Sequence, residues 1–383
     1  MVRLLVDRGH RVSCVVPESY PGIVEAVRAA GASVVLYPSS FPAVVPAIRT
    51  ADELAEMYGA YARENVAALP SAWPRFADDP VDLVVDDVLS TYASRLVAQR
   101  AGCPVVCMFA GPAGNEEVPL NGSRPQPGDP VLQPDHPIFA QLQEELPKVV
   151  ADQGLDPIEA EKAIAGVVPA ANLVFVPRSF QPHADRFDPS YVFVGPGQPE
   201  PAPDKWRPPA GRRVALISLG TCARSNPRFF RDCAEAFADT DWHLVMTSGG
   251  HLDPEHAGEL PGSVELHTFL DHAMVLPHAD VLVCQAGSGT VMGAFSRGVP
   301  VVGVPQQPDH YPLAVHLEAL GLGRALLSAD VTGAEVRAAV EAVTSSGDTI
   351  ARVKAMAVDI REAGGAPCAV EVLEELACAS GAS

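Results

Sequence analysis

The chain has 383 residues and a formal net charge of −20, a length that suggests two hydrophobic cores rather than one. Only four lysines are present (Lys148, Lys162, Lys205 and Lys354), so no basic cluster hides beneath the acidic total, which argues against nucleic acid and anionic membrane surfaces as partners. No apolar run approaches the ~20 residues needed to span a bilayer, no charged-then-apolar leader opens the sequence, and the eight cysteines include no Cys-x-x-Cys pair. Scattered cysteines of this kind read as reduced core residues, and a cytoplasmic location is the expectation.

In chain order, the first half predicts strands at 12–17, 33–37, 81–86, 104–110, 173–177 and 191–194. Helices are predicted between them at 22–30, 52–69, 92–101 and 138–150. Apolar strands alternating with amphipathic helices indicate a parallel sheet covered on both faces. A long loop rich in Gly and Pro, 111–137, leaves the carboxyl end of one strand and is expected to border a cleft. Between Gly195 and Gly211 proline is too dense for either ladder or helix, so this stretch reads as a stiff tether between domains. The alternation resumes from Arg213 to Leu327, and residues 334–379 read as closing helices. The fold class is therefore α/β, with two Rossmann-like domains facing across a cleft. The expected domains are residues 1–205, residues 206–345, and a terminal helical segment, 346–383, that packs back on the first.

Within the second half, Val281–Cys284 is a short apolar run followed by Gln285-Ala286-Gly287-Ser288-Gly289-Thr290 and a helical pattern to Arg297. A helix start carries unpaired N–H donors and roughly half a unit of positive charge, a ready seat for phosphate. A glycine turn alone is common; its setting gives it weight. Ile217–Thr221, Pro227–Ala234, Trp242–Thr247, Val264–Leu270, Val281–Thr290 and Asp309-His310 occur in order and at the spacing of one family. In these segments the chain resembles the GT-B glycosyltransferases, in particular the bacterial enzymes that glycosylate macrolides and other natural products.

The resemblance implies an inverting, metal-independent transfer of a sugar from UDP or dTDP to a hydroxyl of an apolar aglycone, with the nucleotide sugar as co-substrate and no further cofactor. It implies that Gly287, Ser288, Gly289 and Thr290, helped by Thr221, hold the diphosphate. Phe269, where the family usually has a stacking tryptophan, and Leu270 lie beside the base, and Asp309 with His310 contacts the sugar. Three positions depart from the pattern. Gln285 replaces a histidine that donates to the diphosphate, Gly293 replaces a glutamate that accepts from the ribose, and His310 replaces a glutamine. Gly293 suits a dTDP sugar, whose ring lacks the 2′-hydroxyl.

The opening segment, Met1–Val12, matches only the tail of the family's first helix. The first strand and the general-base histidine are therefore expected to be missing, through a misassigned start or a real loss. His10 reads as a turn residue. Asp87 matches the acidic residue that orients the base, and His136 in the cleft-side loop is a further candidate base. The low aromatic content, 6%, predicts no clear platform for the acceptor. Two other readings stay open: a sugar-nucleotide-binding or partner protein without turnover, and a nucleotide-sugar 2-epimerase.

Overall fold

The computed structural model describes the chain apart from residues 43–47, 49, 77–80, 121–130, 198–205, 221–226, 250–258, 308, 329 and 382–383. Its first half runs α1 (Val2–Asp7), β1 (Ser13–Pro17), α2 (Pro21–Ala29), β2 (Ser33–Tyr37), α3 (Ala51–Ala67), α4 (Leu69–Phe76), β3 (Val84–Asp87), α5 (Tyr92–Ala101), β4 (Val105–Phe109), α6 (Pro137–Ala151), α7 (Pro157–Ala165), β5 (Ala171–Val174) and β6 (Tyr191–Phe193). All strand pairs are parallel. They form two sheets, β1-β2 and β3-β4-β5-β6, and among the described residues no strand stands between β1 and β3. Met1 and Leu5 join the core built on Val106 and Leu173, while Val15 of β1 joins Tyr92, Ala93 and Leu96 of α5.

Two local differences from the sequence expectation have clear causes. The predicted helix 52–69 stops at Ala67 and a separate helix starts at Leu69; Pro70 lacks the N–H to continue the ladder but is tolerated in a first turn. The unpredicted α7 starts at Pro157, where Asp156 Oδ1 accepts from the amides of Ile158 (2.9 Å) and Glu159 (3.0 Å). An Asp-Pro helix start of this kind is readable in sequence, but the helix has only nine residues.

The second half runs β7 (Arg213–Ser218), α8 (Pro227–Phe237), β8 (Trp242–Thr247), β9 (Val264–His267), α9 (His272–Val275), β10 (Val281–Cys284), α10 (Ser288–Phe295), β11 (Val301–Gly303), α11 (His310–Ala319), β12 (Gly323–Ala325), α12 (Gly333–Ser345), α13 (Gly347–Glu362) and α14 (Gly365–Gly381). Its six parallel strands follow the order β12-β11-β10-β7-β8-β9. Chain order therefore reverses between β7 and β10, and ligands of open parallel sheets bind off the strand ends at such a switch point. β8 and β10 are buried along their whole length; β10 is the unbroken apolar run of a doubly covered sheet, while β8 also buries His243 and Thr247.

The halves are closed on each other. One core cluster includes Phe109, Val174 and Phe180 from the first half and Val291, Phe295, Leu313, Val353 and Met356 from the second. Phe180 sits edge-on to Phe295 (5.8 Å) and to His316 (5.1 Å). The terminal α14 returns to the first half, where Ala369 and Leu373 pack with Val106 and Leu173. Glu374 then takes Arg8 (2.6 Å) and His10 (2.9 Å). Among the described residues no helix is long and apolar enough to cross a membrane.

Candidate functional site

The switch point gathers the residues of interest. Ser218 pairs with Cys284 at the ends of β7 and β10, which sets Gly220 beside Gln285. Gly220 has φ of 78°, and a Cβ there would collide with the Gln285 amide, so glycine is required for Gln285 to lie across the turn. Ala286 is also left-handed, with φ of 67°. A non-glycine residue in that region costs about 1–2 kcal/mol, and such strain recurs where a backbone must present groups to a ligand. Buried Ala286 is held by packing, its Cβ lying 3.4 Å from the Cβ position of Gly303.

Gly287 is the N-cap of α10 and supplies no side-chain cap. Gly287 and Ser288 are half-buried and Gly289 is exposed, so this helix front is not sealed within the core. It faces the first half of the chain: Ser288 Oγ donates to the Ala110 carbonyl (3.3 Å) at the exit of β4. The approach is close at Gly111 too, where a Cβ would stand 3.2 Å from Ser288 Oγ. A second relation also links the two halves: burial, then Asp309, then Tyr20 raise the pKa of the Tyr61 phenol on α3.

Gln285 and His310 converge on Gly287. Gln285 Nε2 lies 3.7 Å, and His310 Nε2 4.0 Å, from the point a Gly287 Cβ would occupy. His310 is buried, and burial holds its pKa below the ordinary histidine value while the neighbouring Asp309 carboxylate (3.8 Å) pulls the other way. Asp309 is exposed and occupies the N-cap position of α11, yet its side chain makes no capping bond. It is therefore not consumed as a cap. Phe269 is 67% exposed, so it is no core residue and its ring is open to stack. Leu270 instead packs against the central core. Thr290 is half-buried in the first turn of α10, and Gly293 is buried deeper in that helix. Thr221 lies outside the described residues.

On the first half, Asp87 Oδ1 accepts from the Leu89 amide (2.9 Å) and shapes the turn after β3. The buried member of the pair is Asp86, on which Arg95 Nε donates (3.0 Å). Burial raises the Asp86 pKa against that help, and its presence adds to the burial that pushes the Cys107 thiol up to about 12. The candidate base His136 is committed elsewhere. Its Nδ1 accepts from Ile138 N–H (3.2 Å), so Nε2 carries the proton and donates to Asp52 (3.2 Å). That leaves no lone pair for an acceptor hydroxyl, and His136 is corrected to a helix cap.

Several residues escaped the sequence reading. Thr247, buried at the end of β8, shares a hydrogen bond with His272 Nε2 (3.1 Å), and burial lowers the pKa of that imidazole. The aromatic residues, few as they are, do assemble: Phe41 meets Tyr61 (4.8 Å) and Tyr58 meets Phe139 (5.5 Å). Tyr58 and Tyr61 are 47% and 40% exposed. A helical i, i+3 spacing puts both on one face of α3, a platform that the low aromatic count did not predict.

Comparison with known proteins bears directly on this arrangement. A family described as "Erythromycin biosynthesis protein CIII-like, C-terminal domain" matches residues 233–378. The NDP-glycosyltransferase YjiC of Bacillus subtilis is 30% identical over 376 residues, covering 98% of this chain and 92% of that protein. The oleandomycin glycosyltransferase of Streptomyces antibioticus is 31% identical over 384 residues, covering 98% of this chain and 86% of that protein. The chain belongs to this family of NDP-sugar glycosyltransferases. The crystal structure of CalG4, the calicheamicin glycosyltransferase, superposes with a TM-score of 0.81 at 36% identity, covering 98% of this chain and 93% of that one. The glycosyltransferase therefore has the two-domain GT-B architecture expected from its sequence, and the α10 front lies at the switch point of its second sheet, against the first domain.

Proposed function

We propose that this glycosyltransferase moves a hexose or deoxyhexose from UDP or dTDP to a hydroxyl of an apolar natural product, with inversion at the sugar carbon. Residues 206–345 would hold the donor, residues 1–205 the acceptor, and 346–383 would brace the first domain. The observation that carries the reading is the uncapped front of α10 at Gly287, aimed across the gap at Ala110. As the acceptor oxygen bonds to the sugar carbon and its hydroxyl proton passes to water, the bond from that carbon to the diphosphate breaks and the electron pair leaves with the phosphate oxygen. Negative charge then grows at the α10 front, where fixed amide dipoles stabilise it without reorganising.

The remaining roles follow from position. Ser288, Gly289, Thr290 and Gln285 bind the diphosphate, joined by Thr221 as the family resemblance implies; Phe269 stacks on the base beside Leu270; Asp309 orients the sugar. Asp87 shapes the acceptor side of the gap, and Tyr58 and Tyr61 offer flat apolar surface with polar tips to an aglycone. The names of the relatives, which speak of erythromycin, oleandomycin and calicheamicin, support an acceptor of this class. The test is nucleotide release from UDP-glucose and dTDP-glucose against a panel of hydroxylated macrolides and aromatic polyketides. Acceptor-dependent release from at least one donor is expected; none from either donor with any acceptor contradicts the proposal.

A further inference from the structure

The two side chains that border Gly287 share an unusual property. Gln285 Oε1 and His310 Nδ1 are both buried and find no hydrogen-bond partner among the described residues. An unmet buried polar atom costs about 1–3 kcal/mol, so one on each of two adjoining side chains calls for a reason. The His310 side chain is only 10% exposed, and its other nitrogen, Nε2, faces the helix front that Gly287 leaves uncapped. Gln285 approaches the same point from the opposite segment. Of the two, only the imidazole can carry a positive charge. The residue types are also exchanged relative to the pattern described above, with glutamine at the turn and histidine on α11.

We infer that His310 is the protonatable ligand of the donor diphosphate, and that Gln285 is its neutral partner at the same point. The inference rests on the donor reading above. Among the described residues, the titratable groups set against the ring are Asp309, at the N-cap of the same helix, with the Tyr61 phenol of α3 beyond that carboxylate. Burial outweighs Asp309 and lowers the pKa of the imidazole. A diphosphate seated on α10 brings negative charge to Nε2 and reverses that balance, so nucleotide binding takes up a proton. The imidazolium then gives a charge-assisted hydrogen bond where leaving-group charge collects.

The test is calorimetric titration of dTDP and UDP into the full chain at pH 6 and pH 8, in buffers of different ionisation enthalpy. The wild-type protein is expected to take up more protons than His310→Gln with the same nucleotide and to bind more tightly at pH 6. H310Q is expected to bind about tenfold or more weakly at pH 6, with much of the pH dependence gone. Because the two side chains share one point, the double variant H310Q/Q285H restores affinity and proton uptake; thermal melts with and without nucleotide show that each variant is folded. Equal affinity and equal uptake in wild type and H310Q overturn the inference while leaving the donor site standing. Failure of the wild-type protein to bind either nucleotide overturns both.

Discussion

At the scale of single residues, the backbone of Gly220 does work that no other residue type can do. Its φ of 78° disfavours a Cβ, and the space a Cβ would take is filled by the Gln285 amide. Gly220→Ala is therefore expected to displace Gln285 and weaken dTDP binding about tenfold or more. Gly9 supplies the control, since it too has positive φ (93°) but nothing within 4 Å; Gly9→Ala should lower stability without changing nucleotide affinity. Equal affinity in G220A and wild type, measured by titration, would remove Gln285 from the site. A second residue-scale case is the Asp86–Arg95 pair. Asp86 is fully buried with one oxygen unpartnered, so Arg95→Ala strands a buried carboxylate and should cost about 3–5 kcal/mol. Because burial already raises the Asp86 pKa, Asp86→Asn should be near neutral in stability at pH 7. Urea melts compare the two, and a larger loss in D86N than in R95A would contradict this reading.

At the scale of elements, the sequence revealed most where one physical signal was strong. The apolar run 281–284 is strand β10 at those limits, because it carries no polar residue to blur its ends, and β8 spans the family-matched segment 242–247 although it buries His243 and Thr247. α5 spans 92–101 as expected, ended by Gly102 at φ of 67°. The start of α10 at Ser288 was legible from glycine spacing. The convergence of His310 with Gln285 was not, because it depends on how α11 packs against β10 and the turn after it. Nor was the burial of Asp86 rather than Asp87, since which of two adjacent strand residues faces inward is set by register. The tether shows the same limit: proline density marked it, but not its anchor. Trp206 Nε1 donates to Glu265 Oε2 (3.1 Å), and Glu265 also takes His243 (2.8 Å) and His267 (3.2 Å). Burial pushes Glu265 up, but these hydrogen bonds together bring it below the usual carboxylate range. Glu265→Ala leaves buried His243 and the Trp206 indole unpaired and should cost about 1–3 kcal/mol, read by urea melts; an unchanged midpoint would mean that the tether is held elsewhere.

At the scale of the whole molecule, the two domains share a core, and a titratable contact lies inside it. His316 Nε2 donates to the Phe180 carbonyl (2.8 Å), and burial holds the imidazole below its ordinary 6.5. The unfolded chain therefore binds more protons than the folded one just below that pH. Stability is expected to fall as the pH drops below about 6.5, with His272 and His310 contributing in the same direction. His316→Gln can still donate to Phe180 without titrating, so it should flatten part of the slope between pH 7 and 5.5 in chemical melts; an unchanged slope would place the acid sensitivity elsewhere. The account's central claim is that the α10 front grips a diphosphate across the gap between the domains, and amide hydrogen exchange with and without dTDP or UDP tests it most directly. Slowed exchange at residues 287–291, together with residues 110–111 of the facing loop, is the predicted result. Nucleotide binding that leaves those amides unprotected, or protects a different part of the chain, would contradict it.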